Sequence, residues 1–444
     1  MGAQEMLLAG AAALLLAELA RSHRALRRAL ERRPPPPEPA HYPSLTVIRP
    51  IKGLDTGAEA NLRAALDNDY PGWVETLFVF DDAGEPALEP ARRAIAERRA
   101  AGRPCEARIV ISGEPPTGRT GKLHAMIAAV REARGALLAF ADSDTRADPK
   151  ALRTLVATLL AAPRAGSAFA PVVAVEEPAT LGDAGYALLL NGLYGPVAAA
   201  TERRNGGELP FVMGQYSVYT REALAAIGGL ECAEGQLVDD MYLGARIKAA
   251  GFRNVVAPRR VPIIQRGLSL GGFWRLYVRW LAFSRSGLPA LEFKLRAAVL
   301  PILFWLGLVV AIVALSRGWP VPAALGALVP LGVASSTGIL HRTIGGGRLG
   351  WRVRAAPFLL LLVAPVVAAS VALRREIEWR GRRYRLDARA RLDVERPAPE
   401  TGEPVCWEEA PDGVPVEVAC TGSTAAAEAL RRRWRTNRPR GPAS

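Results

Sequence analysis

The chain has 444 residues, half of them apolar, and carries 57 Lys+Arg against 43 Asp+Glu, a formal net charge of +14. That length suits one large domain with membrane segments, or two domains, and the excess of positive charge suits nucleic acid, anionic lipid or an anionic small substrate. Six arginines in 21–33 and eight in 374–393 each adjoin an apolar run, which puts the charge at a membrane surface; with no finger spacing and no RNP-like aromatic run, nucleic acid is excluded as a partner.

The first apolar run, 6–20, precedes rather than follows the basic stretch. That order is the reverse of a cleaved signal and predicts an uncleaved anchor over 1–20 whose C-terminal side is cytosolic. Residues 21–43 form a basic linker in which PPPP is a stiff spacer. From residue 44 a βα rhythm begins: strands over 45–49, 76–80, 107–111 and 136–140, helices over 58–67, from Pro86, and over 121–132, and a further helix opened by Asp148 as N-cap and Pro149 as N1. Strands are also expected over 167–175 and 211–219, and a helix over 237–250. This alternation predicts an α/β domain over 44–262 with a mostly parallel sheet, whose ligands bind beyond the carboxyl ends of the strands. Residues 263–296 form an amphipathic interfacial segment carrying Arg279-Trp280. Three uncharged runs over 297–316, 318–340 and 355–373 are long enough to span a bilayer. Three spans would leave the eight arginines of 374–393 outside, against the positive-inside rule, so 355–373, broken by Pro365, is expected to be re-entrant or interfacial. Beyond 394 the chain reads as largely disordered. Cys105, Cys232, Cys406 and Cys420 form no CxxC pair and no zinc spacing, so they read as free thiols of a reducing compartment.

Three acidic clusters stand where this topology would place them together. Asp142 and Asp144 flank Ser143 after the apolar strand ALLAF, and two such carboxylates can face a divalent cation, Mg²⁺ or Mn²⁺, whose remaining positions go to substrate phosphates. Asp82, at the end of the second strand, is read as an acceptor for the uracil or ribose of a nucleotide, with Pro50, Lys52 and Asp55 lining the same crevice. In Gly118–Lys122 (GRTGK), Lys122 lies just before a helix start that favours phosphate, although the spacing is not that of a Walker A loop. Asp239-Asp240 opens a helix, and Asp240 is a candidate general base for an attacking hydroxyl. Arg279 would hold a diphosphate and Trp280 the sugar or lipid. His124 reads as helical packing.

The set resembles the lipid-acceptor and processive branches of the family 2 and family 21 glycosyltransferases, with the likeness to ceramide glucosyltransferases and their bacterial relatives foremost. It is carried by VIRPIKGLD, NLRAALDNDYPGWVETLFVFDDAGEPAL, GKLHAMIAA, FADSDTRADPKAL, GQYSVYTREALAAIGGL, LVDDMYLGARIKAAGF, VRW and EWRGRRYRL, and covers about 45–386. The resemblance implies a GT-A nucleotide-diphospho-sugar domain with membrane helices at both ends, in a bacterial inner membrane with the catalytic domain cytosolic. It further implies a UDP-sugar donor, a lipid acceptor such as ceramide or a hopanoid, and inversion at the anomeric carbon. Asp82 takes the first motif position, Asp142 and Asp144 the DxD, Asp240 the base with Asp239 before it, and Arg279-Trp280 the end of (Q/R)xxRW; Gln265 joins the substrate-binding residues. Leu276 stands where Gln or Arg is expected, and His124 where Asn is usual. The two other readings are a processive polysaccharide synthase, which needs a channel of several spans, and an inactive membrane scaffold on the same fold.

Overall fold

The computed structural model describes residues 2–283, 291–387, 391–392, 405–409 and 415–419. Helix α1 (Ala3–Ala29) runs through the expected anchor and on through most of the basic stretch, because nothing before Pro34 breaks its helical pattern. The elements of the α/β domain follow as β1 (Leu45–Ile51), α2 (Ala58–Leu66), β2 (Val74–Phe80), α3 (Leu88–Ala100), β3 (Glu106–Ile111), α4 (Gly121–Glu132), β4 (Leu137–Ala141), α5 (Ala151–Ala161), β5 (Ala165–Phe169) and β6 (Val172–Ala174). They continue as α6 (Leu181–Leu188), a π-helical turn at Leu189–Tyr194, α7 (Gly195–Arg204), β7 (Tyr216–Thr220), α8 (Arg221–Ala226), α9 (Asp239–Ala249), β8 (Arg253–Val256) and β9 (Val261–Ile263).

Seven strands form one sheet in the order β3-β2-β1-β4-β7-β5-β8. All neighbours are parallel except β7, which runs antiparallel to both β4 and β5. The central strands are almost wholly buried, as expected of a sheet covered on both faces. Because β2, β1 and β4 are adjacent and parallel, the residues just past Phe80, Ile51 and Ala141 share one rim. That arrangement brings Asp81, Lys52 and Asp142 together.

Three expectations shift. The strand expected over 167–175 divides at Pro171, which cannot donate to a ladder; β6 pairs instead with β9 in a separate parallel ribbon. The strand expected over 211–219 begins only at Tyr216, because the chain at Phe211 and Val212 is pressed against Gly244 of α9. Helix α5 starts at Ala151 with Lys150 in the cap position; Asp148 Oδ1 instead accepts the Lys150 N–H at 2.9 Å, an Asx turn leading into the helix.

After α10 (Leu270–Phe283) come α11 (Leu291–Ser316), α12 (Pro320–Ile344) and α13 (Ala356–Leu373), and with α1 there are four helices long and apolar enough to cross a membrane among the described residues. Small residues set the close approach of α11 and α12: a Cβ on Gly307 would overlap Val329, and one on Gly326 would lie 2.6 Å from the Ala311 nitrogen. His23 of α1 bonds Ser336 of α12 at 2.7 Å.

Helix α13 runs unbroken through Pro365, contrary to the expected break. Proline removes the N–H that would bond the Leu361 carbonyl. The Trp305 indole of α11 donates to that carbonyl at 3.1 Å, so this acceptor is not stranded in an apolar setting. Both ends of α13 lie on the side of the α/β domain. Its start follows the end of α12, where Arg260 donates to the Ile344 carbonyl at 3.0 Å and His341 bonds Asn191 at 3.2 Å. Its end leads to a hairpin, β10 (Glu376–Trp379) and β11 (Arg382–Arg385), that folds back onto the rim of the large sheet. In the tail expected to be largely disordered, β12 (Val405–Glu409) pairs antiparallel with β13 (Pro415–Ala419). The remainder of the tail lies outside the described residues.

Candidate active site

The sheet rim opens into a cavity of about 470 Å³. Strand ends supply Pro50, Lys52, Asp55 and Asp81, the loop after β4 supplies Asp142 to Asp144, and helix starts supply Lys122 of α4 with Asp239 and Asp240 of α9. Gln265 follows β9, and α10 contributes Arg279 and Trp280. Every residue expected from the sequence to bind substrate or metal, or to act in catalysis, lines this cavity except Asp82.

Asp82 is exposed and accepts the Gly84 N–H at 2.7 Å, a local turn. Its neighbour Asp81 is the inward one, 5 % exposed, with Lys52 Nζ at 3.1 Å and Arg382 Nη1 at 2.8 Å. Side chains alternate faces at a strand end, so a displacement of one residue moves the carboxylate from solvent to cavity. Lys52 also pairs with Glu85.

The Asp142–Asp144 loop is fixed from below by a buried arginine. Arg49 of β1, 2 % exposed, donates to the carbonyls of Ser143 at 3.0 Å and Thr145 at 2.6 Å. Asp142 pairs with Lys122 at 2.6 Å, whereas Asp144 Oδ1 is buried with no hydrogen-bond partner. Burial, then the neighbouring Asp142 and Asp55 carboxylates, raise the Asp144 carboxyl to about 7, with Arg380 and Arg49 opposing. No group of three metal-binding side chains occurs among the described residues. A cation here would therefore take one or two carboxylates and complete its shell with ligand oxygens. The orphaned Asp144 oxygen suits that role.

Asp240 accepts the Gly214 N–H at 2.6 Å on Oδ2 and the Met241 N–H at 2.7 Å on Oδ1. Gly214 permits this approach, since a Cβ there would lie 2.9 Å from Oδ2. Burial and the adjoining Asp239 raise Asp240 to about 6, against the pull of Lys122 and the two N–H donors. Asp239, also raised by burial, leaves Oδ2 without a partner. Lys122 loses solvation, but Asp142, Asp239 and Asp240 more than offset that loss and keep it a cation. Burial, with Arg380 nearby, lowers Arg279 to about 10. Trp280 packs between Tyr186 and Tyr194, each 5.8 Å away between ring centres. His124 bonds the Ser112 carbonyl at 2.9 Å outside the cavity, a packing role as expected.

The β10–β11 hairpin was not among the expected site residues, although Trp379, Arg380, Arg382 and Tyr384 all line the cavity. Its signal was the alternation of EIEW and RRYR around Gly381, a turn pattern.

Residues 7–392 match the family described as glycosyl transferase family 21. Ceramide glucosyltransferase 1 of Caenorhabditis elegans is 24% identical over 269 residues, 60% of this chain and 52% of that protein. An N-acetylglucosaminyltransferase of Sinorhizobium fredii is 28% identical over 252 residues, 54% of this chain and 56% of that protein. The chain thus spans about half the length of the curated relatives it matches. Among solved structures, a mannosyltransferase from Pyrobaculum calidifontis in complex with GDP-Man and Mn²⁺ aligns with a TM-score of 0.47 at 19% identity, covering 81% of this chain and 99% of that one. Glucosyl-3-phosphoglycerate synthase from Mycobacterium tuberculosis, with Mg²⁺ and UDP, aligns with a TM-score of 0.32 at 17% identity, covering 54% and 79%.

Proposed function

Because the chain belongs to glycosyl transferase family 21, we propose that it moves a sugar, glucose foremost, from a UDP-sugar to the hydroxyl of a membrane lipid such as ceramide, with inversion. The observation that carries this reading is the convergence of Lys122, Asp142, Asp144, Asp240 and Arg279 on one cavity.

Asp240 is the group suited to take the proton. A carboxyl raised to about 6 is ionised at neutral pH yet more basic than a solvated one. As the lipid oxygen bonds to the anomeric carbon, its proton passes to Asp240 and the bond to the diphosphate breaks. The negative charge that develops on the departing oxygen falls among Lys122 and Arg279. Asp142 and Asp144 would hold a Mg²⁺ or Mn²⁺ ion, which when bound neutralises diphosphate charge. The cavity's apolar side, with Leu190, Leu276 and Trp280, suits the lipid's upper chain.

The membrane arrangement follows from the two ends of α13. An 18-residue helix is about 27 Å long, so one whose ends both meet the same domain does not also cross a bilayer. In this reading α1, α11 and α12 span. Helix α13 lies in the interface with Leu359, Val366 and Leu373 exposed to lipid, and the arginines of 374–385 stay on the cytosolic face. The orientation makes the basic segments obey the positive-inside rule.

The test is purified full-length protein in nanodiscs containing ceramide, given UDP-glucose or UDP-N-acetylglucosamine with Mg²⁺ or Mn²⁺, and lipids analysed by mass spectrometry. A hexosyl-lipid of β configuration is expected from an α-linked donor. Many joined sugars on one acceptor would favour a polymer synthase, and absence of any glycolipid across a wider lipid panel would defeat the reading.

A further inference from the structure

The hairpin after α13 reaches the cavity from a great distance along the chain: Arg380 and its partner Asp55 are 325 residues apart. Arg380 grips Asp55 with two prongs, Nη1 to Oδ1 at 2.6 Å and Nη2 to Oδ2 at 3.2 Å, and also donates to the Lys52 carbonyl at 3.1 Å. Arg382 places Nη1 on Asp81 at 2.8 Å and Nη2 on Glu114 at 2.6 Å. The planar guanidinium fork that matches a carboxylate matches a phosphate equally well.

We propose that these two arginines are ligands for the donor's diphosphate, and that they exchange Asp55 and Asp81 for phosphate oxygens when the nucleotide binds. The proposal rests on the UDP-sugar reading above. Three further observations support it. Arg380 occupies a left-handed turn position (φ 52°) before Gly381 (φ 78°), where Asn, Asp or Gly is the ordinary occupant. A hairpin needing only its turn would be better served by those residues. Arg382 lies against Gly121, the first residue of α4, so closely that a Cβ there would overlap the guanidinium; the Gly121 N–H meets Tyr384 Oη at 3.3 Å. The arginine thus stands beside a helix start, where backbone N–H groups already favour an anion. Finally, seven carboxylates and six cationic side chains line the cavity, and two of the six are on this hairpin. A diphosphate entering so acidic a lining needs those two cations. Trp379 lies beneath Arg279 at 5.4 Å, so the hairpin also braces the arginine of α10.

The experiment measures binding of UDP and of uridine, each with Mg²⁺, to the full-length protein in nanodiscs. It compares wild type with Arg380→Ala, Arg382→Ala and the corresponding Lys variants. Loss of a charge-assisted contact to phosphate should weaken UDP at least about tenfold per alanine substitution and less for lysine, which keeps the charge but loses the fork. Uridine, which lacks phosphate, should bind all variants as it binds wild type. UDP affinity unchanged in both alanine variants overturns the proposal. So does an equal weakening of uridine, which would make the hairpin a wall of the cavity rather than a phosphate ligand. A wild-type protein that binds uridine but gains nothing from the diphosphate overturns it as well. One that binds neither compound removes the donor reading itself, and the hairpin's role falls with it.

Discussion

Replacing Asp240 by Asn separates chemistry from stability in opposite directions. The carboxyl is raised from 3.8 to about 6 in the folded protein, chiefly by burial and by Asp239. A group whose folded-state pKa is raised in this way lends stability below about pH 4 and loses it as pH rises through 6. At pH 8 the ionised carboxylate therefore costs the fold roughly 3 kcal/mol, at about 1.4 kcal/mol per pKa unit. Asparagine avoids that cost but accepts the Gly214 and Met241 N–H groups less fully, giving back about 1 kcal/mol. A net gain of about 1–2 kcal/mol should raise the unfolding midpoint by roughly 2–4 °C at pH 8, with almost no difference at pH 4. Over the same series kcat should fall roughly 10²–10⁴-fold. Wild-type kcat/KM should itself decline below about pH 6 as Asp240 takes up its proton. The assays are thermal unfolding in detergent at both pH values and transfer to lipid in nanodiscs. A variant with wild-type kcat would rule out Asp240 as the base, and one whose midpoint drops at pH 8 together with its activity would show that the carboxylate holds the fold rather than straining it.

Asp144→Asn replaces the orphaned buried carboxylate, so the Mn²⁺ concentration giving half-maximal transfer should rise at least about tenfold; an unchanged metal dependence would place the ion elsewhere. Trp305→Phe strands the Leu361 carbonyl opposite Pro365 and should cost about 1–2 kcal/mol in thermal unfolding, and adding Pro365→Leu, which restores an N–H, should recover most of it. If Trp305→Phe unfolds at the wild-type midpoint, the indole does not satisfy that carbonyl in the membrane. A cysteine at Gly318, between α11 and α12, should react with an impermeant maleimide from outside intact cells, whereas one at Arg374, after α13, should react only after lysis; labelling of Arg374→Cys from outside would make α13 a span.

The parts of the site legible in the sequence are those fixed by local pattern. The unbroken apolar strand ending in acids places Asp142 and Asp144 at the rim, the loop after the first strand places Lys52 there, and the helix over 121–132 has both ends where its pattern puts them. Parity at a strand end is a matter of one residue, which is why the sequence pattern points to Asp82 whereas Asp81 faces the cavity. The Pro171 break was readable in principle, since proline cannot sit in the middle of a ladder. The continuity of α13 was not, because it depends on a tryptophan 60 positions earlier in sequence. Nor was the hairpin's place in the site. Its turn pattern is local, but its pairing with Asp55 and Asp81 is set by how α11, α12 and α13 return the chain to the sheet, and no short window of sequence contains that.

In the proposed function the rim acids and bases surround one metal-bound diphosphate. It is tested most directly by the anomalous scattering of Mn²⁺ in crystals of the protein grown with UDP. A single peak is expected within coordinating distance of Asp144 and of the diphosphate oxygens, with Lys122 close to the phosphates. Nucleotide bound away from the 142–144 loop, or Mn²⁺ ligated by acids outside this cavity, would contradict it.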